Sequence, residues 1–295
     1  MLREAARVGT IVLSPTHVSN LDSLVLGYAI YALGLPPFAY GAGLNLFTHA
    51  TTGFFMRHLG AFTVDRKKRD PLYREVVKEY ATTLIARGQH VLFFPGGTRS
   101  RYGAIEGRLK LGFLGTAVTA FGRRRAQDAH APPVFIVPCT ISYPLVLEAS
   151  SLIDQYLRRE GGPHFIDVRD EFEEPQRWFD FLRQLSHLDV RVHVRFGTPL
   201  DFVGNPMDER GVSYDGRGRA LDCARYLSEP RAPSAIVTDP ARDKEYTRQL
   251  AGRIVSSLHR NSVALPSSVL AFVVFERLRR ARPQLDVFRL LHVLG

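Results

Sequence analysis

Cysteine is scarce in these 295 residues. The two present, Cys139 and Cys223, stand in no CxxC or metal-ligand spacing. That argues against a disulfide framework or a thiolate zinc site and predicts free thiols in a reducing compartment. Long apolar runs are missing as well. Residues 23–56 carry no Lys, Arg, Asp or Glu, but Pro36, Pro37 and five glycines break them into pieces too short to span a bilayer. SVLAFVVF, residues 268–275, is shorter still. The opening MLREAARVGTIVLSP lacks the apolar length of a signal peptide and runs into what reads as a core strand. The G-x4-G-K-[ST] nucleotide loop is absent. So are zinc-finger spacing, an aromatic RNA-binding strand and a basic region with heptads, so no nucleic-acid partner is predicted despite the charge. There is no internal repeat.

What is present is an ordinary globular composition, 45% hydrophobic and 23% charged, with a net charge of +10 and a pI near 9.9. Such a balance favours polyanions: a membrane surface, a phosphorylated substrate or nucleic acid. Apolar runs alternate with helical patterns. VGTIVLS (8–14), AFTV (61–64), HVLFF (90–94), PVFIVPCTIS (133–142) and DVRVHVRFG (189–197) read as strands. Residues 20–33 read as a helix capped by Asn20 and stopped at Gly34. Residues 71–88 read as another, with Pro71 in its first turn and Leu72, Val76, Val77, Tyr80 and Leu84 on one apolar face. Further helices are predicted over 110–122 and 244–260, and the chain ends in a basic amphipathic stretch. Strands separated by helices predict an α/β fold, with a mostly parallel central sheet flanked by helices and a C-terminal helical extension. The organisation expected is one catalytic unit over 1–203, a Gly/Pro/Asp/Arg-rich polar insert over 204–245, and a helical segment over 246–295.

Four short stretches hold residues suited to chemistry. His17 leaves the first strand, and Asp22 falls in the next helix's first turn, so the carboxylate can return to the imidazole. A carboxylate on one ring nitrogen fixes the tautomer and leaves the other nitrogen to deprotonate a hydroxyl. Taken alone, His-x4-Asp is equally a capping loop with an incidental histidine. GAFTVDR (60–66) delivers Arg66 at a strand end, followed by Lys67, Lys68 and Arg69; it reads as a phosphate contact or as a solvated basic turn. FFPGGTRSR (93–101) runs a strand into a glycine turn. There Gly97 lets backbone amides approach an anion, Thr98 and Ser100 offer hydroxyls, and Arg99 and Arg101 can fork onto phosphate oxygens, with Lys110 nine residues on. IVPCTISY (136–143) is a strand with a polar tip.

In this order and spacing the four stretches resemble the four blocks of the glycerolipid acyltransferase family, which includes glycerol-3-phosphate, dihydroxyacetone-phosphate and lysophosphatidate acyltransferases. The resemblance runs from about residue 8 to about residue 200. GLNL (43–46), GAF, SYPLVLE after the fourth block and FGTP (196–199) look most like the glycerol-3-phosphate branch. The resemblance implies transfer of a fatty acyl group from acyl-CoA or acyl-carrier protein to the hydroxyl of glycerol-3-phosphate, in phospholipid biosynthesis. Lysophosphatidate or dihydroxyacetone phosphate are alternative acceptors, and a non-catalytic lipid- or phosphate-binding homologue is an alternative reading. It implies His17 as general base, Asp22 as its orienting group, and Arg66, Gly97, Thr98, Arg99, Ser100, Arg101 and Lys110 around the acceptor phosphate. No cofactor and no metal is implied, and Cys139 is not needed as a nucleophile. The basic tracts 66–69, 123–125 and 277–282 fit an anionic membrane surface, which implies a peripheral place on the cytoplasmic face.

Two departures stand out. The family's third block usually has Glu between its Pro and Gly, and here that position is Gly96. A carboxylate there would shape the acceptor loop, although the soluble plastid glycerol-3-phosphate acyltransferases also lack it. Family members of the glycerol-3-phosphate branch usually carry a helical region before the first block, where this chain has sixteen residues. A compact version, a fragment or a misjudged start is therefore expected.

Overall fold

The computed structural model describes residues 1–19, 21–47, 50–65, 67–97, 99–100, 104–144, 146, 191–229 and 232–281. Helix α1 (Leu2–Val8) precedes strand β1 (Thr10–Pro15). The helix was not expected; Arg, Glu and Ala favour it, and Gly9 ends it where a β-carbon would come within 2.2 Å of the Pro133 carbonyl. Next come α2 (Asp22–Ala32), β2 (Ala39–Gly43), α3 (Ala50–His58), β3 (Ala61–Val64), α4 (Pro71–Ala86) and β4 (Val91–Leu92). They are followed by α5 (Leu111–Gln127), β5 (Val134–Ser142) and β6 (His193–Phe196).

Among the described residues these six strands form one sheet in the order β3-β2-β4-β1-β5-β6. Every pairing is parallel except β5 with β6, which is antiparallel at the edge. The mostly parallel α/β architecture is thus the one expected. Alternating side chains explain how the sheet is covered on both faces. Ile11 and Leu13 of β1, with Phe135, Val137 and Cys139 of β5, pack with Leu26 and Ile30 of α2. Val12, Val134 and Ile136 face the other way, onto Leu114, Val118 and Phe121 of α5. Leu250, Ile254 and Leu258 of helix α6 (Pro240–Asn261) complete that second layer. Each such fully buried aliphatic contributes about 1.5–3 kcal/mol.

Several boundaries differ from expectation. Helix α2 starts at Asp22 behind Leu21, and Asn20 lies outside the described residues. Helix α4 buries its expected face only in part: Leu84 packs half-buried against the core and Val77 is half-buried, but Leu72, Val76 and Tyr80 are exposed, whereas Ala81, Thr82 and Ile85 are buried. Small Ala81 and Thr82 let the helix's second half lie close to the layer beneath, and the larger apolar side chains of the first half point outward. Helix α5 does not stop at Gly122 but runs on to Gln127. That glycine serves close packing, because a β-carbon there would meet Leu227 Cδ1 at 3.3 Å. The fourth strand keeps only Val91 and Leu92, and Phe93 and Phe94 turn into the loop beyond. Residues 189 and 190 of the predicted last strand lie outside the described residues.

The stretch expected as a polar insert holds two small hairpins. One pairs β7 (Ser213–Tyr214) with β8 (Ala220–Leu221), and the other pairs β9 (Ser228–Glu229) with β10 (Ala232–Ile236). Its polarity is local chemistry. Asp208 accepts from the backbone N–H groups of Arg210 and Val212, and Asp215 from those of Arg217 and Arg219. Cys223 and Leu227 reach the core. Helix α7 (Pro266–Ala281) follows α6, and residues 282–295 of the predicted basic amphipathic end lie outside the described residues.

His90 carries a testable consequence of this packing. Its ring is buried at the start of β4, and its Nδ1 accepts the Ile11 backbone N–H at 3.1 Å. Burial holds its pKa below the ordinary 6.5. A histidine whose folded pKa is depressed contributes stability above its unfolded pKa and loses it as pH falls through the folded value. The urea midpoint should therefore drop on acidification below about pH 6.5. His90→Asn keeps an acceptor without titrating there, so it should flatten that drop. An unchanged pH dependence in the variant would remove His90 as its source.

Candidate active site

The chemistry-bearing side chains collect at the C-terminal ends of the parallel strands β1, β4 and β5, where open α/β sheets leave a crevice. His17 follows β1 by two residues, and its Nδ1 lies 2.8 Å from Asp22 Oδ2. The same oxygen accepts the backbone N–H groups of Val18 at 2.7 Å and Ser19 at 3.0 Å. The other, Oδ1, accepts the Tyr143 hydroxyl at 2.8 Å, from the tip of β5. Asp22 is completely buried. An ionised carboxylate is acceptor-only, so against it Nδ1 is the donor, and in the neutral ring Nε2 then carries the lone pair. The ring stacks on Phe94, centroids 4.0 Å apart, with 14% of the side chain still exposed. Phe94 and Tyr143 therefore belong to the site's walls and supports, although neither stood out in the sequence as more than core.

The glycine turn after β4 is tied to this pair. The Ser100 N–H donates to the His17 carbonyl at 2.7 Å, and the Lys110 N–H to the Pro95 carbonyl at 2.8 Å. Gly97 has φ +76°, and a β-carbon there would lie 2.6 Å from Lys110 Nζ, so the lysine stem lies across the turn. Arg99 is half-buried beside Ser100, and Lys110 is exposed. The structure thus brings His17, Asp22, Gly97, Ser100 and Lys110 into one neighbourhood with Arg99. Arg66, Thr98 and Arg101 lie outside the described residues.

One group was missed altogether. Glu106, in the loop before α5, has a carboxyl close enough to His17 and Asp22 to feel both charges. It also occupies the space beside Gly96. The absence of the usual carboxylate at position 96 was the one sequence signal that could have prompted a search for another nearby. Cys139 is fully buried on β5, and burial pushes its thiol pKa far up, which makes it a packing residue rather than a nucleophile.

The family model described as Acyltransferase matches residues 2–142. The chain is similar to the glycerol-3-phosphate acyltransferase of Ectopseudomonas mendocina, 32% identical over 203 residues, covering 68% of this chain and 22% of that protein. The corresponding protein of Aeromonas hydrophila is 36% identical over 215 residues, covering 72% and 24% respectively. That of Pseudomonas savastanoi is 28% identical over 284 residues, covering 95% and 30%. The chain therefore spans less than a third of the length of these curated relatives. The crystal structure of the 1-acyl-sn-glycerophosphate acyltransferase from Thermotoga maritima overlaps at a TM-score of 0.39 and 15% identity, over 87% of this chain and 68% of that one.

Proposed function

Because the chain belongs to the glycerolipid acyltransferase family, on the side of its glycerol-3-phosphate acyltransferases, we propose that it transfers a fatty acyl group from acyl-CoA or acyl-carrier protein to glycerol-3-phosphate. The observation that carries this reading is the His17–Asp22 pair at the strand ends, with Nε2 left as an acceptor. An acceptor hydroxyl bonded to Nε2 would attack the thioester carbonyl, forming the new C–O bond as its proton passes to Nε2. Asp22 would hold the ring and stabilise the imidazolium. Collapse of the tetrahedral oxyanion would break the C–S bond and return the proton to the leaving sulfur. The pair thus serves first as base and then as acid, with no acyl-enzyme. Arg66, Arg99 and Arg101, with the amides and hydroxyls of the glycine turn and Lys110, are assigned to the acceptor phosphate. Purified protein should therefore acylate glycerol-3-phosphate from a long-chain acyl-CoA or acyl-carrier protein. Lysophosphatidate and dihydroxyacetone phosphate are the comparison acceptors. No turnover with any donor–acceptor pair would sink the reading.

The same proposal includes a peripheral position on the cytoplasmic face of a membrane. Among the described residues no single helix is long and apolar enough to cross one. Support comes from α7, where Val269, Leu270, Phe272 and Val274 are exposed beside Arg277, Arg279 and Arg280. Exposed apolar residues next to clustered cations suit a helix lying in an anionic headgroup layer. The protein should float with vesicles containing phosphatidylglycerol at low ionic strength. Leu270→Glu with Phe272→Glu should release it. Equal flotation of wild type and variant would remove α7 as the contact.

A further inference from the structure

Glu106 is the ionisable group beside His17 that the proposed chemistry leaves without a task. Its loop turns back toward the site and is fastened at its end by the Lys110 N–H bond to Pro95. The side chain fills the room beside Gly96. A β-carbon on that glycine would stand 2.6 Å from both Cγ and Oε1 of Glu106, and 2.8 Å from Cδ. A carboxylate has therefore entered, from another segment, the space a side chain at position 96 would have used. Its Oε1 is shielded from solvent and accepts no hydrogen bond among the described residues. Burial raises the pKa of Glu106, with the Asp22 charge adding a little, while its own backbone N–H and then the charge and backbone N–H of His17 act against that rise. Buried acceptors are almost always satisfied, and one left open beside a reactive imidazole is explained by a ligand that brings the donor.

We propose that Glu106 accepts a hydrogen bond from the acceptor's second, non-reacting hydroxyl and so sets which acceptor the site prefers. The inference rests on the acyltransferase reading above and narrows it. Glycerol-3-phosphate has two hydroxyls: one reacts at Nε2, and the other remains to donate to Oε1. Dihydroxyacetone phosphate presents a ketone oxygen instead, which sets acceptor against acceptor. Lysophosphatidate has already committed one hydroxyl to its ester, and its other must react. Of the three, glycerol-3-phosphate alone satisfies the buried oxygen. A site built to bond a hydroxyl discriminates strongly against analogues that lack it, because its own polar group is then left unpaired.

The test is calorimetric binding of glycerol-3-phosphate and dihydroxyacetone phosphate to wild type and to Glu106→Gln, beside acyl transfer to each from a long-chain acyl-CoA. The glutamine keeps the shape and adds an N–H donor suited to a ketone. Preference for glycerol-3-phosphate should fall by about 10- to 100-fold, with dihydroxyacetone phosphate held or improved. A parallel loss for both acceptors, or no change for either, overturns the proposal, as does a wild type that binds neither. A shifted binding ratio in a protein that transfers nothing would keep Glu106 in its role and remove acyl transfer. Turnover with an unmoved ratio would do the reverse. A second variant guards against misfolding of the first. Gly96→Glu with Glu106→Gly moves the carboxylate across the same space, and Gly96 has no positive φ to forbid a side chain. It should regain the wild-type preference, and a folded double variant that prefers neither acceptor would count against the assignment.

Discussion

His17→Ala should lower kcat/KM for acyl transfer to glycerol-3-phosphate by about 10²–10⁴-fold, the usual contribution of a positioned general base. The loss should appear mainly in kcat, because the imidazole acts on the reacting oxygen while the phosphate contacts lie on other residues. Little else should change. Among the described residues the ring makes one side-chain bond, to Asp22, and one stack, on Phe94. Circular dichroism and thermal unfolding should show a folded variant. Full turnover in that variant would end the general-base scheme and leave the strand ends with a binding role only.

Asp22 should give the largest loss of stability. Its two oxygens accept the His17 ring N–H, two backbone N–H groups and the Tyr143 hydroxyl, all in a fully buried position. Asp22→Ala removes the buried acceptor of the Val18 and Ser19 N–H groups and of the Tyr143 hydroxyl at once, and should cost about 3–5 kcal/mol of folding free energy. Asp22→Asn separates structure from charge. Its carbonyl can replace Oδ2 and its amide can donate to the Tyr143 oxygen, so folding should suffer far less. Turnover should still fall by about 10²–10⁴-fold, because the ring loses the partner that stabilises its protonated form. Urea unfolding of the two variants, with acyl transfer by the asparagine form, checks both halves. Equal stability of the alanine and asparagine forms would mean that Asp22 is not the clamp its hydrogen bonds describe.

The sheet was legible because its strands are apolar on both faces: Ile11 and Leu13 look one way and Val12 the other, and a chain covered on both sides reads as continuous hydrophobicity. The His17–Asp22 contact was legible because a strand exit and a helix start lie five residues apart, too near for the geometry to vary much. The errors came where long-range packing overrules spacing. The helical period around Leu72 says that one face is apolar, but not that Ala81 and Thr82 are the residues the neighbouring layer has room for. Gly122 looked like a stop because its contact, Leu227, lies over a hundred residues away. Glu106 has no motif of its own; its place is defined by the empty volume at Gly96, which local sequence does not display. The Asp- and Gly-rich stretch after residue 204 reads only as a polar insert, its hairpins hidden, because short carboxylate-capped turns have the same composition as disorder.

The order of the sheet has a consequence for how the molecule is made. Strand β1 leaves the ribosome long before the strands it pairs with: Val12 pairs with Val91, and Thr10 with Val134. Contacts so distant in sequence slow folding, because the chain must close large loops before they form. His17 is therefore made well before the residues that hold it, and waits for them. Phe94 has to arrive before the ring can stack, and Tyr143 before the Asp22 oxygens are filled. A nascent chain halted short of residue 134 would expose the apolar faces of β1 with no partner on the β5 side. It is at that length, rather than in the finished protein, that chaperone capture should be greatest.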